Sequence, residues 1–121
     1  MPRTDFPTSA EYHADAERRA YDLLNSQIAR IDAALDFLKL NRSRVLPSIF
    51  TGIHTQLVGM RNRAEGFLVM PDHGGATAIG IMGANGCGPK ITALTESVDF
   101  HVNKATDYRA LRDAHPASIA A

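Results

Sequence analysis

Tryptophan is absent from the 121 residues, cysteine occurs once, and the formal charges cancel to zero. The lone Cys87 can neither close an internal disulfide nor furnish a cysteine-rich zinc site. Thirteen basic against thirteen acidic side chains remove the simplest electrostatic case for binding nucleic acid or an anionic membrane. Aromatic residues make up only 7%, so platforms for stacking bases are scarce. No apolar run approaches the roughly 18 residues of a membrane span, and Met1-Pro2-Arg3-Thr4-Asp5 leads into no apolar leader segment. A soluble, cytoplasmic, single-domain chain is the expectation, with one core and no room for two.

Glycine is missing from the first 51 residues and then occurs nine times between Gly52 and Gly88. Charge is uneven too: residues 1–40 carry net −2, residues 41–66 net +3 and residues 67–121 net −1. The opening third therefore reads as uninterrupted helix, and the rest as something more tightly turned.

Thr8 followed by Glu11 matches a capping box, in which each side chain satisfies the other's free backbone N–H. Pro7 ends the tail before it. Tyr21, Leu24, Ile28, Ile31, Leu35 and Leu38 then follow at gaps of 3, 4, 3, 4 and 3, a heptad row on one helix face. The spacing predicts a helix over 8–42, ended near Asn41. At 1.5 Å per residue it would be a rod of about 50 Å, longer than the roughly 35 Å breadth of a compact 121-residue body. That mismatch points to cover from a second chain, so the six residues of the row are the candidate partner-binding anchors.

Between Pro47 and Gly66, the residues Ile49, Ile53, Leu57, Met60 and Ala64 recur at helical spacing, which predicts a second helix over 47–65 and a helical hairpin. Alternation at Ile49, Thr51, Ile53, Thr55 and Leu57 is the competing strand pattern, and it fails at Gly59. Gly52 and Gly59, seven apart, suggest close approach of another backbone. After Gly66, short apolar runs at Phe67–Met70 and Ala76–Met82 and the alternation of Val98, Phe100 and Val102 read as strands. The expected fold class is thus α+β: a helical hairpin, a small antiparallel sheet in a glycine-rich region over 67–102, and a short helix over 104–114. The tail His115–Ala121 has no marked preference.

Gly83 and Gly88 have the separation of the two glycines of a phosphate-binding loop, but Pro89 intrudes, removing one N–H from the cradle and displacing Lys90 by one place. A turn joining two strands is the plainer reading of 83–90, with a small phosphate- or nucleotide-binding protein as the alternative. His54, His73, His101, Cys87 and Asp72 show no metal-ligand spacing, so neither metal nor cofactor is expected. Cys87 as a nucleophile would need a lowered thiol pKa, for which only the nearby Lys90 speaks. Arg42, Arg44, Arg61 and Arg63 fall at opposite ends of the second helix and form no single patch, which leaves weak nucleic-acid binding as a further alternative. The function the sequence favours is non-catalytic: association with itself or with another protein through the long helix.

Overall fold

The structure, a computed structural model, describes residues 8–114; the stretch before Thr8 and the tail His115–Ala121 lie outside the described residues. Four helices follow one another: α1 (Ser9–Leu40), α2 (Pro47–Leu68), α3 (Gly75–Met82) and α4 (Cys87–Ala114). A 3-10 turn at Arg42–Arg44 joins α1 to α2, and a left-handed turn at Pro71–Gly74 joins α2 to α3. No strand occurs among the described residues, so the expected α+β class is wrong and the fold is all-α.

α1 forms where the sequence places it. Thr8 accepts from the Glu11 amide at 3.2 Å, and the Asn41 side chain donates to the Phe37 carbonyl at 2.9 Å, closing the other end. Its 32 residues run unbroken for about 48 Å. α2 starts on Pro47 as expected but continues through Gly66 to Leu68, so Phe67 is a buried helical residue and not the start of a strand. The helix ends where Met70, just before Pro71, becomes extended, and beyond it Asp72, His73, Gly74 and Gly75 all have positive φ. Two non-glycine residues in that region are unfavourable by about 1–2 kcal/mol each. The His73 ring donates from Nδ1 to the Leu68 carbonyl at 2.8 Å, and at Gly74 a Cβ would strike the Phe67 ring.

The remaining strands were read from a misleading alternation. Val98, Phe100 and Val102 have period two in the sequence, yet Val98 and Val102 are buried and Phe100 between them is exposed. Both valines belong to a longer row, Cys87, Ile91, Leu94, Val98 and Val102, at gaps of 4, 3, 4 and 4, and the whole row is buried against the hairpin. The short helix expected over 104–114 is the last part of this single α4. Ala76–Met82 is also helical, with Ala78 and Met82 one turn apart in the core.

α2 packs along α1, while α3 and the first half of α4 close the other side of the core. No helix among the described residues is long and apolar enough to cross a membrane. Gly52, Gly59 and Gly66 have open space where a Cβ would stand, so the close backbone approach suggested for Gly52 and Gly59 does not occur among the described residues.

Candidate interaction surface

The glycine-rich segment 83–90 is a corner between helices. The Gly83 carbonyl accepts from the amides of Gly86 (3.0 Å) and Gly88 (3.1 Å), and Cys87–Lys90 form the first turn of α4. Those two N–H groups are occupied internally, so they do not form a phosphate cradle. Pro89 is harmless there, since first-turn amides lack helical partners anyway. Added Cβ atoms at Gly83 and Gly86 would collide with the carbonyls of Ile79 and Ile81, which is why this corner needs glycine.

Two α1 side chains fasten the corner. Buried Gln27 donates to the Met82 carbonyl at 2.6 Å, and its own side-chain oxygen accepts from Arg30 at 2.8 Å. Arg30 also donates to the Thr92 hydroxyl at 2.9 Å. With its start held beside the middle of α1, α4 runs in the same direction and passes the turn at Arg42–Arg44. Val102 is its last core residue; beyond it Asn103–Asp113 are exposed apart from half-buried Ala105. This overhang measures about 16 Å.

Two surfaces result. One is a stripe on the face of α4 turned away from the core: Phe100, Lys104, Asp107 and Leu111, at gaps of 4, 3 and 4. Phe100 and Leu111 are each 55% exposed, and the Lys104 ammonium stands 5.8 Å from the Phe100 ring centre. The other is a groove of ≈ 440 Å³ between the α1–α2 connection and α4, walled by Leu46 and Tyr108.

The expected anchors are placed differently. Leu24, Ile31, Leu35 and Leu38 are buried, Ile28 is partly buried against the same core, and Tyr21 alone is exposed, at 50%. Tyr21 faces the His73 ring at 5.2 Å. The heptad row is therefore covered within one chain, by α2, α3 and α4. The sequence signal of the α4 stripe is the 4, 3, 4 spacing from Phe100 to Leu111, which a strand ending at Val102 and a separate helix over 104–114 divide between two elements.

The other singled-out residues do not converge. His54 stacks on Phe50 in α2, His73 sits in the left-handed turn, and His101 lines the groove. Among the described residues no group of three His, Cys, Asp or Glu side chains could hold a metal ion. Burial pushes the Cys87 thiol pKa up, away from the thiolate a nucleophile needs. Arg42 lies over the Phe50 ring at 4.6 Å. Arg61 donates to both Asp32 oxygens, at 2.6 and 3.3 Å, and also pairs with Glu65. The hydrogen bond from Arg61 holds the Asp32 carboxyl below its ordinary pKa, and the same bond raises that of Arg61. No known protein family, curated protein or solved structure matches the chain.

Proposed function

We propose that this chain is a self-associating structural subunit, and that it pairs with a second copy through the outer face of α4 in place of the heptad row of α1. The observation that carries the reading is the self-complementarity of the α4 stripe. In an antiparallel pair of α4 helices centred between Ala105 and Thr106, Phe100 lies opposite the second copy's Leu111, and Lys104 opposite its Asp107. The two-fold axis repeats both contacts, as an isologous interface requires. Apolar ends cover each other while the charges between them alternate in sign, and the shared face points away from each copy's own core.

One helix pair over twelve residues is a small interface, at the weak end of specific contacts. Sedimentation velocity from about 1 to about 300 µM is therefore the test, spanning the range in which a weak dimer dissociates. The wild type is expected to shift from monomer to dimer, and the Phe100→Ser, Leu111→Ser double variant to stay monomeric. Lys104→Asp should weaken the dimer, and adding Asp107→Lys should restore it by swapping the pair. A wild type that is monomeric throughout, or a double variant that dimerises as well as the parent, overturns the proposal.

A further inference from the structure

Beyond self-association, we infer that the groove between the α1–α2 connection and the α4 overhang receives an acidic, amphipathic helical segment of another protein. The groove lies on a different face of α4 from Phe100 and Leu111 and meets the pairing stripe at Lys104, which belongs to both surfaces. Its floor is buried Val45 with Ala105, and its walls are Leu46 and Tyr108, each 69% exposed. Leu46 and Tyr108 thus line a hydrophobic slot that the described residues leave uncovered.

Charge defines the occupant. Arg44 and Lys104 stand on the rim with His101, and no carboxylate belongs to the lining. α2 also begins here: its N-cap is Leu46, which supplies no side-chain hydrogen bond, and its first turn contains no acidic residue. The positive end of a 22-residue helix thus adds its field to the two cations. An acceptor carried by the guest would meet all three.

Shape separates a segment from a small molecule. A pocket for a small ligand encloses most of its surface, whereas here the overhang leaves one end open, with α4 continuing beyond Tyr108 as one long wall. His101 to Tyr108 spans about 10 Å, or two turns of a guest helix laid alongside. The mode is helix-in-groove, with leucine-like anchors between Leu46 and Tyr108 and carboxylates toward Arg44 and the start of α2.

The test uses a fluorescein-labelled synthetic helical peptide with leucines at i, i+4 and i+7 and flanking glutamates, read by fluorescence anisotropy. Analogues carry glutamine or lysine in place of glutamate. The glutamate peptide is expected to bind about tenfold more tightly than the glutamine peptide, the lysine peptide more weakly still, and raising salt should narrow the difference. Arg44→Glu should abolish most of the glutamate peptide's advantage, and Tyr108→Ser should weaken all of them. Neither residue lies on the stripe, so the dimer should persist in both variants, and circular dichroism checks that each is folded. Equal binding of the three peptides overturns the acidic partner. No binding, or binding indifferent to Arg44→Glu and Tyr108→Ser, overturns the groove as a docking site. Loss of the dimer in Tyr108→Ser overturns it as well, since a second copy would then be what covers the groove.

Discussion

Replacing Gln27 by alanine tests what sets the course of α4. Gln27 is only 3% exposed, and its side-chain amide is the strong donor to the Met82 carbonyl at the end of α3. The Cys87 thiol also reaches that oxygen, at 3.4 Å, but a thiol is a weak donor. Truncation leaves the carbonyl without a good partner in a buried corner, a loss of about 1–3 kcal/mol. The lost Cγ methylene adds about 0.8 kcal/mol. Arg30 contributes little to the sum, because it is exposed and keeps Thr92. The expected loss is therefore about 3 kcal/mol, a large share of the roughly 5–15 kcal/mol that holds a domain folded. For a chain of this length that lowers Tm by about 10 °C. Urea unfolding followed by far-ultraviolet circular dichroism should show a lower midpoint at unchanged slope. Gln27→Leu separates the causes: leucine refills the space, so only the orphaned carbonyl's 1–3 kcal/mol should remain. If Gln27→Ala loses less than about 1 kcal/mol, the Gln27–Met82 bond is not what fastens the α3–α4 corner, and the account of why α4 overhangs fails with it.

Two further outcomes follow from the packing and the charges. Gly59→Ala should raise stability by about 0.5–1 kcal/mol, since alanine lowers the backbone-entropy loss in a helix and nothing lies within 4 Å of the added Cβ; a loss of stability in a urea titration would mean that something outside the chain packs on this face. Asp32→Asn should destabilise at neutral pH and lose its effect in acid. The folded pKa of Asp32 lies below its unfolded value, so the ion pair with Arg61 stabilises fully above the ordinary aspartate pKa and is lost as pH falls through the lowered one. Melting curves of parent and variant should converge at the acid end, and a constant gap across pH would assign the effect to something other than this ionisation.

The hairpin was legible because its signals are local and repeat. Thr8 with Glu11, the unbroken run to Asn41 and the heptad row fix α1; Pro47 and the row from Ile49 to Ala64 fix most of α2. The second half was misread where two periods coincide. Residues two apart on one side of a strand and four apart on one side of a helix share the positions Val98 and Val102, and only the wider row through Cys87, Ile91 and Leu94 separates the patterns. Pro89 and three nearby glycines masked that row, since both residue types usually end elements. Here proline occupies a first turn where no helical bond is lost, and Gly83 and Gly86 make the corner before it. The left-handed turn at Asp72–Gly75 depends on the Phe67 ring and on the Leu68 carbonyl meeting His73, contacts that composition and spacing do not encode.

The length argument does not hold for α1. A 32-residue rod does outreach what one other helix covers, yet the chain wraps its heptad row with three helices of its own. The unmatched length reappears in α4, which is anchored at its start by Gln27 and Arg30 and has no anchor after Val102. A helix fixed at one end beside the middle of α1 must overshoot the hairpin, and the apolar residues on the overshoot cannot reach any core of their own chain. Tyr108 and Leu111 are therefore wet by geometry, and Phe100, one turn earlier, is wet because it lies on the outer face. A helix end of that kind, polar where its core row would continue at Arg109 and Asp113 and apolar on its outer faces, is patterned for contact with something other than its own hairpin.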